Sequence, residues 1–167
     1  MMKSVPLTLF LIILGTSLLA PVQAQDELVY IAVPPCRIVD TRNAGGAIPA
    51  NNYRNFRVSG TSGQLAVQGG VSDCLDPKAG TGQKPLAISA YVIAVPSPGS
   101  DSGVLTAYPS NQQPPPVGAG STVNFSVRQI IGNTTSITLC DPGGSCPIDG
   151  EFAILARNTN QHVVIDV

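Results

Sequence analysis

The chain has no tryptophan and a single histidine. It also has few charges, since only 11% of its 167 residues are Asp, Glu, Lys or Arg. Globular proteins carry about 25% charged residues, so uncharged polar side chains must cover much of this surface. Nine basic residues against ten acidic ones give a net charge of −1. This balance excludes the strongly basic footprint of a nucleic-acid-binding protein.

The motifs of catalytic and metal sites are also missing. No Gly-x-Ser-x-Gly elbow supplies a nucleophile for His162, the one histidine. Gly80–Lys84 and Gly118–Thr122 lack the spacing of a phosphate-binding loop, and the cysteines lack the Cys-x2-Cys spacing of a structural zinc site. Asp73, Asp76 and Asp101 have no calcium-loop spacing around them. We therefore expect a non-enzymatic protein without a cofactor or a metal ion.

The N-terminus has the pattern of a secretion signal. Lys3 precedes the apolar run Val5–Leu19, and small residues lead up to a cleavage site after Ala24. The run is about 15 residues long, whereas a membrane-spanning helix needs roughly 20. We predict a signal peptide at residues 1–24 and a single domain at residues 25–167. The mature protein would be secreted or held at the cell surface, with no membrane span.

Cysteine usage agrees with an exported protein. An even number of cysteines in an exported chain predicts disulfides, here two from four residues. Three pairings are open, and we favour Cys36–Cys74 with Cys140–Cys146. The second bond would close a tight loop whose proline and glycines suit a sharp return.

Short apolar segments separated by Gly, Pro and Asn turns fill the rest of the chain. Leu86–Val95 is apolar on both faces, which predicts a central strand that is covered on both sides or forms an interface. Ser59–Lys84 has the composition of a long loop, and no helical period exceeds about one turn. We predict an all-β fold, a single antiparallel β-sandwich of jelly-roll or immunoglobulin-like type with about seven to nine short strands and two disulfides. The other predicted strands are Leu28–Val33, Arg37–Thr41, Asn55–Ser59, Val104–Tyr108, Thr122–Val127, Thr135–Leu139, Phe152–Ala156 and His162–Val167.

Pro34–Arg42 is the most distinctive stretch. Strand alternation would place Arg37 on one face, and Asp40 with Arg42 on the other. A charge-assisted pair with Asp166 would join the first and last strands. We predict structural ion pairs among these four residues rather than a catalytic pair of carboxylates, which would need a cleft and a defined separation.

Four stretches of the chain follow one another in the order of a known pattern. They are Pro35–Arg42, Gly103–Pro109, Ser121–Phe125 and His162–Val167. In these stretches the chain resembles a family of exported bacterial β-domains that open with Pro-Cys-Arg-x-x-Asp-Thr-Arg and close on a His-Val-Ile-Ile-Asp-Val strand. The resemblance implies a cell-surface or extracellular module with no established enzymatic role. The family pattern usually continues past the final Asp-Val, and the Cys140–Cys146 loop is an addition to it.

The first functional hypothesis is a non-catalytic structural or interaction domain. It would assemble by strand exchange with copies of itself or with other surface proteins, as a filament subunit does. The donor would be the N-terminal segment that signal cleavage frees, with Leu28, Val29, Tyr30 and Ile31 as the assembly residues.

The alternative hypothesis is a carbohydrate-binding β-sandwich with a polysaccharide as partner. Such sites stack aromatic rings on sugar faces, and tryptophan is absent here. The candidates are therefore Tyr30 and Tyr53, because the strand positions of Tyr91 and Tyr108 predict core residues.

Overall fold

The computed structural model describes residues 29–71, 85–140, 146–147 and 150–167. These ranges contain eight strands and one short helix, which confirms the prediction of an all-β chain. The elements in chain order are β1 (Arg37–Asp40), β2 (Asn52–Phe56), α1 (Ser62–Ala66), β3 (Ala87–Pro96), β4 (Gly103–Pro109), β5 (Val123–Phe125), β6 (Ile131–Thr138), β7 (Phe152–Arg157) and β8 (Gln161–Asp166).

The strands form two four-stranded sheets. The first sheet has the order β1-β8-β3-β6, and the second has the order β2-β7-β4-β5. Every strand pairing in both sheets is antiparallel. Successive strands often change sheet, so among the eight described strands only β4 and β5 are neighbours both in the sequence and in a sheet.

One hydrophobic cluster receives side chains from both sheets. Strand alternation places every second residue on the core face, and burial of each large apolar side chain stabilises the fold by about 1.5–3 kcal/mol. In the second sheet, Phe56 and Phe152 are fully buried and their ring centroids lie 5.8 Å apart. In the first sheet, the core-facing residues of β3 are Ile88, Ala90, Val92 and Ala94.

The opposite face of β3 is open. Tyr91 is exposed and Ile93 and Val95 are only partly buried, although β3 lies centrally between β8 and β6. The prediction of a strand covered on both faces is therefore wrong, since no further layer of the described chain packs on this side. The other alternative, an apolar face used in an interface, stays a prediction.

The predicted loop Ser59–Lys84 contains the helix α1. Thr61 caps it, because the Thr61 side chain accepts from the Gln64 backbone N–H while Gln64 Oε1 accepts from the Thr61 N–H at 2.9 Å. This is a capping box, and its Thr-x-x-Gln spacing is visible in the sequence. Leu65 is fully buried and anchors the helix to the domain.

The N-terminal residues Val29–Pro35 carry no secondary structure. The predicted strand over Leu28–Val33 is therefore wrong for residues 29–33, and Leu28 lies outside the described residues. The double proline that follows explains the irregular backbone at Pro34 and Pro35, because proline has no N–H to donate to a ladder.

The Cys140–Cys146 disulfide is present, with its Cα atoms 5.6 Å apart. The second predicted bond includes Cys74, which lies outside the described residues. Within the part of the chain that the structure covers, no helix has the length and apolarity needed to cross a membrane.

Candidate functional site

A β-bulge shapes the junction of the first and last strands. Arg37 of β1 pairs with Asp166 of β8, and Val39 pairs with the adjacent Ile165. Ile38 is thus the extra residue on β1, and both Ile38 and Val39 are buried. A bulge of this kind breaks the alternation of side chains and redirects the residue beside it.

The bulge brings Arg37 to the same side as Asp40, so the prediction that the two occupy opposite faces is wrong. Arg37 Nη1 donates to Asp40 Oδ2 at 3.3 Å. The same guanidinium binds Asp166 through two bonds, Nε to Oδ1 at 2.8 Å and Nη2 to Oδ2 at 3.2 Å. Arg37 therefore bridges a carboxylate on its own strand and one on β8.

Arg42 binds Asp40 from the other side. Arg42 Nε donates to Asp40 Oδ1 at 2.8 Å, Nη2 donates to Oδ2 at 2.6 Å, and the Arg42 backbone N–H donates to Oδ1 at 3.1 Å. The Asp40 side chain is 1% exposed, whereas those of Arg37 and Arg42 are 37% and 45% exposed. The hydrogen bond from Arg42 lowers the pKa of Asp40 more than burial raises it. Asp40 is thus a buried anion beneath two guanidinium groups, which places the four predicted ion-pair residues in one cluster.

The segment 68–71 closes the outer edge of β1. Asp40 N–H donates to the Gln68 carbonyl at 3.0 Å. The Gln68 side chain donates from Nε2 to the carbonyls of Ile38 and Arg57, at 2.8 Å each. One amide side chain thereby ties β1 to the segment that follows β2. The sequence did not predict this role of Gln68, because a single polar residue in a loop gives no sign of the carbonyl groups that it will bind.

Two glycines permit this close approach. A Cβ on Gly69 would lie 2.0 Å from the Asp40 carbonyl oxygen, and Gly69 has φ +82°. A Cβ on Gly70 would lie 2.6 Å from the Ile38 carbonyl oxygen. Backbone packs on backbone here, which only glycine allows.

His162 belongs to the structural framework at the other end of β8. Its Nδ1 lies 3.1 Å from Thr41 Oγ1, and the fully buried Thr41 also accepts the Val163 N–H at 2.9 Å. Thr41 N–H in turn donates to the Val163 carbonyl at 3.0 Å. Thr41 therefore links the end of β1 to β8, a role that strand alternation did not predict.

Asp40 does not have the surroundings of a catalytic acid or base. A catalytic carboxyl group is typically poised with a raised pKa, whereas that of Asp40 is lowered and its oxygens are occupied by guanidinium donors. In residues 29–71, 85–140, 146–147 and 150–167, no three His, Cys, Asp or Glu side chains group together as metal ligands would. The geometry is that of a structural clamp.

The tyrosines occupy three different environments. Tyr108 is buried, and its burial raises its pKa to about 12. Tyr53 is exposed and packs edge-on against Tyr108, with ring centroids 6.3 Å apart. Tyr91 is exposed, so its assignment to the core is wrong, and its ring lies over Gly132, where a Cβ would approach it to 2.6 Å. Tyr30 is exposed in the N-terminal segment.

Fold and cluster together define an all-β protein with two antiparallel sheets, in which ion pairs join the first and last described strands. Comparisons with protein-family models, with curated proteins and with solved structures give no match to this chain. The resemblance to exported β-domains therefore depends on the sequence motifs alone.

Proposed function

We propose that this protein is a non-catalytic, secreted or cell-surface structural domain that assembles with copies of itself by strand exchange. The exposed N-terminal segment carries the proposal. Val29 and Tyr30 are 77% and 81% exposed, Ile31 is also exposed, and all three lie outside every strand. Exposure of apolar surface to water costs the isolated monomer about 25 cal/mol per Å² in free energy. Pairing of the segment with a neighbour's sheet would bury part of this surface and so favour assembly.

We further propose that the two sheets pack as a β-sandwich of jelly-roll or immunoglobulin-like type, with Cys36–Cys74 as a second disulfide. The shared hydrophobic cluster supports a sandwich, since Val92 of the first sheet and Ile154 of the second belong to it. The even number of cysteines supports the second bond. The motif resemblance supports the same class of extracellular module.

The clamp fixes which strands can take part in exchange. Cys36 N–H donates to the Val167 carbonyl at 3.0 Å, and Val167 N–H donates back at 2.9 Å. With the Arg37–Asp166 pair beside them, these bonds hold β8 between β1 and β3. Since β8 is paired on both sides, it cannot accept a strand from a second copy.

Deletion of residues 25–33 is expected to convert the assembled protein into a monomer, because it removes the donor segment and leaves β1–β8 in place. Light scattering and negative-stain microscopy of the secreted, oxidised protein provide the measurement. Far-UV circular dichroism checks that the shortened chain keeps its β-structure. The proposed function would be refuted if the unmodified secreted protein were a monomer. It would also be refuted if the deletion variant still assembled.

The alternative function, polysaccharide binding, is favoured by the exposed ring of Tyr53 on the second sheet. Under this alternative, Tyr53→Ala would weaken retention on a polysaccharide column by about fivefold, from loss of a ring contact of about 1 kcal/mol. Tyr53→Phe keeps the ring and would be retained like the unmodified protein. Equal retention of all three proteins would count against carbohydrate binding.

A further inference from the structure

We propose, building on the self-assembly above, that β6 is the edge that accepts the incoming strand and that its occupant is the segment 29–33 of a second copy. The two sheets have four edge strands, namely β1 and β6 in the first and β2 and β5 in the second. The free backbone groups of an edge strand are the usual site of strand addition.

Three of the four edges are poor acceptors. The segment 68–71 already covers β1, where Val71 N–H donates to the Arg37 carbonyl at 3.2 Å in addition to the Gln68 contacts. β5 has only three residues. β2 has five residues and contains Arg54, whose guanidinium donates to the Gly46 carbonyl at 2.8 Å beside that strand.

The sequence and register of β6 lack the charges, prolines and bulges that protect natural edge strands. Its eight residues, Ile131–Thr138, include no charged residue and no proline. Its register with β3 is unbroken from Ile131↔Ala94 to Thr138↔Ala87, so no bulge turns it away. Charges, prolines and bulges are the usual means of blocking edge-to-edge pairing. The sequence of β6 is therefore compatible with a strand partner.

One hydrogen bond just past the C-terminal end of β6 shows which of its backbone groups point toward β3 and which point away from the sheet. Leu139 N–H donates at 2.9 Å to the carbonyl of Leu86, the residue directly opposite in the register. Bonded and non-bonded pairs alternate along an antiparallel ladder. Ile137, Thr135 and Asn133 thus bond to β3, whereas the N–H and C=O groups that point away from the sheet belong to Gly132, Thr134, Ser136 and Thr138.

These outward groups are accessible at one end of β6. Thr134, Ser136 and Thr138 are exposed. Asn133 Nδ2 donates to the Thr122 carbonyl at 3.1 Å and so covers the other end of the edge. Across the described ranges, the only bond to these outward groups is a long one of 3.4 Å, from the Thr135 hydroxyl to the Ser136 carbonyl. The open part of the edge is residues 134–138.

The donor segment matches this edge in length and in pattern. Residues 29–33 and 134–138 are equal in length, about 17 Å each when extended. Val29, Ile31 and Val33 alternate along the donor and are β-branched, the type that strands favour. Paired residue for residue with 134–138, they would lie opposite Thr134, Ser136 and Thr138 and would extend the open face of the first sheet that carries Tyr91. Because donor and acceptor are different surfaces, each copy would use one of each, and the contact would propagate as an open filament.

The first test is Ser136→Pro, with Ser136→Ala as its matched control. Proline removes an N–H that points outward and no bond to β3, so the monomer is expected to keep its fold while assembly weakens by about tenfold or more. Alanine keeps the backbone N–H and is expected to assemble normally. If the unmodified protein assembles and Ser136→Pro assembles equally well, the acceptor site is wrong while the proposed function stands. If the unmodified protein is monomeric, the proposed function itself fails.

Amide hydrogen exchange gives a second test that needs no substitution in β6, because it compares the assembled protein with the deletion variant. In the deletion variant lacking residues 25–33, the amides of Thr134, Ser136 and Thr138 are expected to exchange fast, while those of Thr135 and Ile137 are protected by β3. In the assembly, the three fast amides become protected. Protection that appears on β2 or β5 instead would overturn the assignment of β6.

Discussion

Replacing Asp40 with alanine is expected to lower the free energy of unfolding by about 3 kcal/mol, because the variant loses charge-assisted hydrogen bonds to a buried carboxylate. Asp40 accepts from Arg42 through three N–H groups and from Arg37 through one. Without the carboxylate, two guanidinium groups of like charge face each other over the β1–β8 junction. Urea unfolding at neutral pH, followed by circular dichroism, gives the change in stability.

Asp166→Ala is the matched control for this variant. It also removes an arginine-bound carboxylate, but Arg37 and Asp166 are 37% and 32% exposed, so the expected loss is only about 0.5–1 kcal/mol. The difference between the two variants measures the combined effect of burial and of the additional hydrogen-bond donors at Asp40. Equal losses for both would show that Asp40 does not act as a buried anion.

The same carboxylate gives this effect a pH dependence. The ordinary pKa of an aspartate is 3.8, and the hydrogen bond from Arg42 lowers the pKa of Asp40 below that value in the folded protein. A group with a lowered folded-state pKa stabilises the fold above its unfolded-state pKa and loses that contribution as the pH falls through the folded-state pKa. The stability difference between the unmodified protein and Asp40→Asn is therefore expected to be full above about pH 4 and to shrink in stronger acid.

Replacing Gly69 with alanine is expected to lower the free energy of unfolding by about 3–4 kcal/mol, from backbone strain together with overpacking. The added Cβ would lie 2.0 Å from the Asp40 carbonyl oxygen, and φ is +82° at this residue. Relief of the clash requires segment 68–71 to move off β1. That movement would break the bond between Asp40 N–H and the Gln68 carbonyl and leave the edge of β1 open.

Gly63→Ala is the control for the Gly69 variant. Gly63 lies in α1, and nothing lies within 4 Å of a Cβ built on it. Alanine there favours the helix, so this variant is expected to be as stable as the unmodified protein or up to about 1 kcal/mol more stable. Thermal unfolding of both variants gives the comparison. If the Gly69→Ala variant had the same melting temperature as the unmodified protein, the tight contact at Asp40 would be contradicted.

Alternation along the chain was enough to locate most of the strands, although β2 and β6 begin three and four residues before their predicted starts. Val123 and Phe125 are buried on either side of the exposed Asn124, as the pattern indicates, and β3 and β8 lie within a residue or two of their predicted ends. The same alternation failed at β1. Ile38 is an extra residue that only the register with β8 creates, and register is a property of two distant segments.

The candidate site was predictable in its members and not in its geometry. A short segment with alternating charges near one end of the chain, and Asp166 near the other, suggested a clamp. The positions of Gln68 and Thr41 could not be predicted, because a single amide or hydroxyl gains its role from the carbonyls and N–H groups that the fold brings to it. The cap of α1 was readable from Thr61 and Gln64, since that signal is local.

The central place of β8 has a consequence for how the protein folds. Arg37 and Asp166 are separated by 129 positions, and β8 also fills the gap between β1 and β3. Contacts between such distant segments require closure of a long loop before any pairing energy is gained, which slows folding. Until β8 has emerged from the ribosome, the first sheet lacks an interior strand and the synthesised part of the chain cannot complete it. We therefore expect the first sheet to form only after β8 has been synthesised.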